Sequence, residues 1–238
     1  MLAGPGLSRL RFHGRDFCMA TIIFDFDGTL HDSMHIYRIA LNRGYQWLVE
    51  QGLATPREFT EADMAANIGL TPHDAWARMA PEIPWSVASR AAARVGGVMD
   101  SLIDDGTARL FPGVPEMLQQ VKDAGHTLVF LSNCRNAYKD AVRRAFGFDA
   151  WFSGYYTSEQ FGGIPKEEIF ETIRKDFPGP YLVVGDRDKD LAIARVHGLP
   201  SIGCLYGYGS REELSDATFL AERPSDITYL IEQMRFMR

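Results

Sequence analysis

Cysteine is scarce in this sequence and widely scattered. The 238 residues contain three cysteines, Cys18, Cys134 and Cys204. No two of them stand at the spacing of a zinc site, and an odd, dispersed set does not form a disulfide framework. This usage is typical of a protein that keeps its thiols reduced, and we therefore expect a cytoplasmic location.

Long apolar runs and an excess of positive charge are also missing. No stretch approaches the ~20 apolar residues that a membrane-spanning helix needs. The formal net charge is −6, whereas a nucleic-acid or membrane-surface protein needs a basic patch. We therefore expect neither nucleic acid nor a membrane as a partner. A small anionic ligand remains compatible with this charge, provided that positive side chains gather at one place.

The first 18 residues lack the apolar segment of a signal peptide. Arg9, Arg11 and Arg15 lie in this stretch, but no continuous apolar run accompanies them. Met19 stands directly before the first apolar run. We expect residues 1–18 to be a poorly ordered N-terminal extension, with a transit peptide as the alternative.

The chain is organised around residues 21–30, which read Thr-Ile-Ile-Phe-Asp-Phe-Asp-Gly-Thr-Leu. The run before Asp25 is nearly all apolar, β-branched or aromatic, which predicts a buried parallel strand. Asp25 and Asp27 then fall at its carboxyl end, where open α/β sheets bind ligands. Two acids so close together are costly to hold unless a cation neutralises them. A surface hairpin turn at Asp27-Gly28 is the alternative, but no alternating strand follows it.

Two different patterns follow this strand and define the expected domains. Residues 33–106 carry only helical pattern and are long enough for a small inserted domain. Beyond them, strands alternate with helices, which predicts an α/β fold with a Rossmann-like parallel sheet and helices on both faces. We expect an α/β core built from residues 19–32 and 107–238. The further strands are expected at residues 126–131, 151–156, 181–184 and 200–205.

Polar residues follow two of these elements at positions that suit a phosphate group. Ser132 and Asn133 end the second core strand, where a hydroxyl and free backbone amides can bind a phosphate. A simple helix cap is the alternative. Lys166 begins a later helix. It is either a solvated lysine or a positive charge directed at Asp25 and a phosphate oxygen.

Acidic residues recur after another apolar strand, in the run Gly-Asp-Arg-Asp-Lys-Asp at residues 185–190. Asp186 and Asp25, at separate strand ends, supply the hard oxygen ligands of a metal site. The alternative is a helix N-terminus rich in acids that favour the helix dipole. His31 and His35 stand four apart and could suggest zinc, but no third ligand is evident, and we expect hinge or core roles for them.

Four stretches of the chain, taken in order, resemble the four motifs of the haloacid dehalogenase superfamily of phosphohydrolases. They are Asp-Phe-Asp-Gly-Thr-Leu at 25–30, Leu-Val-Phe-Leu-Ser-Asn at 128–133, Lys166, and the acidic run at 185–190. One departure is that Pro165 precedes Lys166, whereas many relatives place the proline after this lysine. The segment 183–214 and the loop 67–72 also look like the phosphoglycolate-phosphatase-like branch.

The resemblance implies a role for each motif residue and an α-helical cap over the site at residues 33–106. Asp25 is implied as the nucleophile and Asp27 as the general acid/base. Ser132, Lys166 and the backbone at Phe26, Asp27 and Asn133 are implied to bind phosphate. The implied metal ligands are Asp25, Asp27 and Asp186, with Asp190 as a further ligand or an orienting residue. The loop 67–72 is either substrate-facing or a plain turn.

We therefore interpret the sequence as a magnesium-dependent phosphatase of a small phosphorylated metabolite that acts through an aspartyl-phosphate. A monomer or weak homodimer is expected. A phosphomutase of the same fold is the nearest alternative, and a non-catalytic phospho-acceptor signalling domain is an alternative of another class. A dehalogenase is disfavoured because that branch lacks the equivalent of Asp27. The substrate stays open.

Overall fold

The computed structural model of this chain describes residues 19–234. The N-terminal extension that we predict at residues 1–18 lies outside the described residues. None of the helices within the described part of the chain combines the length and apolar character needed to cross a membrane.

A single parallel sheet forms the centre of the molecule. In residues 19–234 it contains six strands in the order β3-β2-β1-β4-β5-β6, and every neighbouring pair is parallel. The strands are β1 (Thr21–Phe24), β2 (Thr127–Ser132), β3 (Phe152–Thr157), β4 (Tyr181–Gly185), β5 (Ser201–Cys204) and β6 (Phe219–Ala221). Because β1 lies between β2 and β4, the chain leaves it near the middle of the sheet's carboxyl edge, which is where parallel sheets bind ligands.

Nine α-helices accompany the sheet within the described residues. They are α1 (Met34–Glu50), α2 (Glu61–Ala65), α3 (Pro72–Met79), α4 (Trp85–Asp104), α5 (Val114–Asp123), α6 (Asn136–Ala145), α7 (Lys166–Asp176), α8 (Asp188–His197) and α9 (Pro224–Met234). Side chains of β1 alternate between two apolar cores, since Ile22 packs with helices α5, α6 and α9 and Ile23 with α7 and α8. Helices therefore cover both faces, and the predicted fold class is confirmed.

The helices of residues 34–104 have an apolar core of their own. Leu41, Leu48, Met64, Trp76 and Ala91 belong to a buried cluster formed by α1 to α4. This cluster is distinct from the two that flank the sheet, as expected for helices that must bury an apolar stripe against one another. The helical cap is part of the observed fold class, while its boundaries at residues 33 and 106 stay a prediction.

The sequence pattern does not predict strand β6. Phe219, Leu220 and Ala221 pair with Ile202, Gly203 and Cys204 at the edge of the sheet. Three residues are too few to display the alternation or the apolar run by which a strand is recognised in a sequence. The pairing is created by the neighbouring strand β5, which is a tertiary effect.

Candidate active site

The turn after β1 is fixed by a buried phenylalanine and a glycine. Phe26 is fully buried, and its carbonyl oxygen accepts hydrogen bonds from the backbone N–H groups of Leu30 at 2.8 Å and His31 at 2.9 Å. Gly28 has φ +93°, and a Cβ there would overlap the Asp186 carboxylate. Only glycine fits such a position without strain. The turn therefore brings Asp25 beside Asp186.

Lys166 forms the electrostatic centre of the site. Its Nζ lies 2.5 Å from Asp25 Oδ1 and 2.7 Å from Asp190 Oδ1, and the side chain is 3% exposed. Burial lowers the pKa of Lys166, but the charges of Asp190 and Asp25 outweigh it and hold that pKa above its usual range. The lysine is therefore charged, and the alternative of a solvated side chain is wrong.

Asp186 is held at the strand end by the loop at residues 206–210. The backbone N–H of Tyr208 donates to Asp186 Oδ2 at 2.8 Å, and a Cβ at Gly207 would overlap the Asp186 side chain. Asp186 has no exposed surface. Burial, followed by the charges of Asp25 and Asp190, raises the pKa of Asp186 well above its usual range. Burial and the charge of Asp190 likewise raise the pKa of Asp25.

This arrangement suits a divalent metal ion. Among the described residues, Asp25, Asp186 and Asp190 each offer a carboxylate oxygen, and these atoms all lie within 4.8 Å of one another. Burial raises the pKa of Asp25 and of Asp186, and the repulsion among three carboxylates, which one lysine charge does not cancel, raises both pKa values further. A divalent cation would supply the missing positive charge, and hard carboxylate oxygens are the ligands that Mg²⁺ prefers.

The three carboxylates are not equally free to bind a metal. Both oxygens of Asp190 have close donors, since Oδ1 faces Lys166 at 2.7 Å and Oδ2 accepts the backbone N–H of Arg187 at 3.0 Å. Asp25 Oδ2 and Asp186 Oδ1 instead share the Thr29 hydroxyl, at 3.3 Å from each, and its single proton can serve only one of them. Asp190 therefore fits an orienting position better than a direct ligand. The side chain of Asp27 does not belong to the cluster of Asp25, Asp186 and Asp190. Asp27 would therefore contact a metal there through its main chain.

Ser132 and Asn133 lie at the end of β2, on the same edge of the sheet. Ser132 is the last residue of the strand and is buried. The helix that follows, α6, has Arg135 at its N-cap position. Ser132 is therefore not a helix cap, and that alternative is wrong. The Asn133 side chain donates to the carbonyl oxygen of Gly69 at 3.1 Å, which ties this strand end to the loop at 67–72.

Arg187 makes a second connection to the cap. Its Nη1 donates to the carbonyl oxygens of Ala65 at 3.0 Å and Ile68 at 2.9 Å, and its Nε donates to Glu213 Oε1 at 2.8 Å. Sequence reasoning did not single out this arginine, since its partners lie on a distant helical segment. The loop at 67–72 thus faces the carboxyl edge of the sheet through contacts on two sides.

We expect Arg187→Ala to loosen this connection without touching the reacting groups. Losing two charge-assisted hydrogen bonds should lower kcat/KM by about 10-fold and raise amide hydrogen exchange in residues 65–69. Arg195→Ala is the matched control, because Arg195 lies on α8, which begins directly after Arg187, and its ion pairs among the described residues are with Asp188 and Asp216 at the surface. Unchanged exchange in residues 65–69 would show that Arg187 does not hold the cap.

His31 and Tyr138 complete the surroundings of Asp27. His31 lies in the turn before α1, whereas His35 is the second residue of that helix, so the two do not share a helix face. His31 is fully buried and Tyr138 is 4% exposed. Both contact Asp27 Oδ1, at 3.0 and 2.9 Å. The zinc alternative for the two histidines therefore finds no support, and Tyr138 is a contact that the sequence did not predict.

Comparison with known proteins identifies the family of this site. A family model of haloacid dehalogenase-like hydrolases matches residues 19–198. A phosphoglycolate phosphatase of Synechococcus elongatus is 26% identical over 232 residues, which span 91% of this chain and 99% of the relative. A 5'-nucleotidase of Pseudomonas aeruginosa is 31% identical over 206 residues, spanning 81% of this chain and 86% of the relative.

A solved structure supports the same fold. The protein comes from Haemophilus somnus and is described as a predicted phosphoglycolate phosphatase. It has a TM-score of 0.74 and 21% sequence identity, and the match covers 90% of this chain and 98% of that chain. At this level of identity the likeness concerns the fold alone.

The chain belongs to the haloacid dehalogenase superfamily of hydrolases. The predicted resemblance to its phosphoglycolate-phosphatase-like branch is confirmed, and so is the prediction that the protein is a phosphatase. The acidic cluster of Asp25, Asp186 and Asp190 is of the kind that can hold a divalent metal.

Proposed function

We propose that this protein is a magnesium-dependent phosphatase that hydrolyses a small phosphomonoester through an aspartyl-phosphate on Asp25. The observation that carries the proposal is the position of Asp25, which follows the central strand at its carboxyl end, contacts Lys166 and belongs to the acidic cluster. A carboxylate placed in this way can act as a nucleophile once its charge is balanced. We further propose a cytoplasmic location, which rests on the scarcity of cysteine.

The first step is attack of Asp25 on phosphorus with departure of the leaving alcohol. Lys166 holds Asp25 Oδ1 at 2.5 Å, whereas Oδ2 accepts only a longer hydrogen bond of 3.3 Å from the Thr29 hydroxyl among the described residues. Oδ2 is therefore the oxygen that attacks in line with the leaving group. The backbone N–H groups of Phe26 and Asp27 make no hydrogen bond to another backbone group of the described chain. They are therefore available for the phosphoryl oxygens, together with the backbone N–H of Asn133 and the Ser132 hydroxyl. Donors aimed in this way stabilise the charge that develops in the transition state.

Asp27 transfers the proton in both halves of the reaction, first as general acid and then as general base. It protonates the leaving oxygen as Asp25 attacks, and it then takes a proton from the water that hydrolyses the aspartyl-phosphate. Asp25 and Asp186 would hold magnesium, with Asp190 orienting the site. Bound there, the ion would stabilise negative charge on the phosphoryl oxygens.

The names of two relatives support a small phosphorylated metabolite as the substrate. One is a phosphoglycolate phosphatase and the other a 5'-nucleotidase, and both names describe removal of phosphate from a small metabolite. A phosphomutase would return the phosphoryl group to a second acceptor, so release of inorganic phosphate with repeated turnover separates the two alternatives. We propose a small phosphomonoester as the substrate class and test it with a panel of phosphorylated metabolites.

Metal dependence is the first test of this proposal. Phosphate release over the panel should require Mg²⁺ and be poorly supported by Ca²⁺, which prefers more ligands and longer bonds. At 100-fold excess over its Kd, Mg²⁺ should also raise the Tm by about 5–10 °C. Asp186→Asn should lose this shift. Asp188→Asn should keep it, because Asp188 is an exposed acid at the start of α8, two residues from Asp186, and pairs with Arg195.

Two results would contradict the metal assignment. One is full activity after exhaustive chelation. The other is a Tm shift that survives in Asp186→Asn, which would place the ion elsewhere.

A further inference from the structure

A buried tyrosine and a buried histidine meet at one oxygen of Asp27. The Tyr138 hydroxyl lies 2.9 Å from Asp27 Oδ1, and His31 Nδ1 lies 3.0 Å from the same oxygen. The tyrosine hydroxyl and His31 Nδ1 are themselves 3.1 Å apart. Asp27 Oδ1, His31 Nδ1 and the Tyr138 hydroxyl, which come from two distant parts of the chain, therefore all contact one another.

The contacts of His31 fix both the position of its ring and the nitrogen that carries its proton. Its ring stacks on Phe26 with a centroid distance of 4.9 Å and an interplanar angle of 18°. His31 Nε2 is buried and has no hydrogen-bond partner among the described residues. A proton on Nε2 would find no acceptor, whereas a proton on Nδ1 can be donated to the carboxylate in a charge-assisted bond. We therefore assign the proton to Nδ1.

The two oxygens of Asp27 are consequently different. Oδ1 accepts the N–H of His31 and the O–H of Tyr138, and Oδ2 accepts no hydrogen bond from any described residue. The Asp27 side chain keeps 19% of its surface exposed, while His31 is fully buried beside it. The oxygen without partners is thus the one left to face a ligand.

We infer that Tyr138 and His31 are positioning residues that hold Asp27 Oδ1, so that Oδ2 is the oxygen that gives and takes the proton. This inference rests on the proposed function. Neither residue touches the reacting atoms, because both act through Asp27. A carboxylate with one oxygen anchored cannot rotate away from the leaving group. A misplacement of about 1 Å can cost on the order of 10²-fold in rate.

The test uses Tyr138→Phe with two substrates of similar shape, phenyl phosphate and 4-nitrophenyl phosphate. Nitrophenolate leaves without help, whereas phenolate is a poorer leaving group and gains more from a proton. We expect kcat/KM for phenyl phosphate to fall about 10-fold and that for 4-nitrophenyl phosphate to change by less than about 3-fold. Equal losses with both substrates would overturn the inference, because they would indicate a general structural defect.

Tyr156→Phe is the matched control variant. Tyr156 is also buried, and its hydroxyl also donates to a carboxylate, that of Asp176, at 2.6 Å. It lies outside the proposed machinery, so both substrates should react at the wild-type rate. A change equal to that of Tyr138→Phe would overturn the inference.

A double-mutant cycle with Asp27→Asn then asks whether Tyr138 acts through Asp27. If it does, Tyr138→Phe should cause no further loss in the Asp27→Asn background. A loss of the same size in both backgrounds would overturn the inference. His31→Leu should show the same dependence on the leaving group, and Tyr138→Phe decides the question if that variant does not fold.

The same data separate this inference from the proposed function. If Asp27→Asn affects both substrates equally, Asp27 is not the general acid, and the proposed function and the inference fall together. If Asp27→Asn depends on the leaving group and Tyr138→Phe does not, the proposed function stands and the positioning role falls alone.

Discussion

Asp25→Asn is expected to abolish turnover with every substrate. The amide is a very poor nucleophile, and the nearest other carboxylates, Asp186 and Asp190, are held by Tyr208 and by Lys166 and Arg187. No neighbouring group can replace Asp25, so the loss of kcat should be at least about 10⁴-fold. Phosphate release and acid-quenched mass spectrometry measure the two consequences, absence of product and absence of phosphoprotein.

The protein should remain folded in this variant. Burial raises the pKa of Asp25, so a neutral amide at this position relieves part of the cost of a buried charge. Lys166 keeps its second partner, Asp190. We therefore expect a Tm close to that of the wild type, and Asp188→Asn serves as a control with full activity. Turnover by Asp25→Asn above a trace level would contradict the assignment of the nucleophile.

The local sequence pattern predicts the strands that carry the site and the acids that follow them. The run before Asp25 is apolar and β-branched, which indicates a buried strand, and the acids follow where such a strand ends. Asp186 follows β4 in the same way. Because parallel strands deliver their carboxyl ends to one edge, knowing the two strands is enough to expect the two acids together. The structure brings them together as expected.

Contacts between distant segments are what the sequence does not predict. Tyr138 lies 111 residues from Asp27, and its position on α6 is equally typical of a residue that only fills the core. Arg187 reaches carbonyl oxygens near residues 65 and 68, and backbone acceptors leave no signature in the sequence. The roles of such residues are recognised only once the packing of the helices and loops that carry them is known.

Asp27→Asn should separate the two halves of the reaction. This variant keeps the nucleophile and Lys166 but loses the group that protonates the leaving oxygen and later activates water. With an alkyl phosphate, whose alkoxide leaves badly, the first step should slow by about 10²–10⁴-fold, the usual contribution of general acid catalysis. With 4-nitrophenyl phosphate the first step should be nearly unaffected, because nitrophenolate needs no proton.

Hydrolysis of the aspartyl-phosphate still needs a base, so the intermediate should accumulate in Asp27→Asn. We expect a burst of about one nitrophenolate per enzyme followed by slow turnover, and acid-quenched protein should carry phosphate on Asp25. Asp32→Asn is a suitable control, since Asp32 lies just after the same turn and pairs with Arg109 at the surface, and it should show neither burst nor phosphoprotein. If Asp27→Asn gives no burst and no phosphoprotein, Asp27 is not the base of the second half-reaction, and an unchanged first step with the alkyl phosphate would show that it is not the acid of the first.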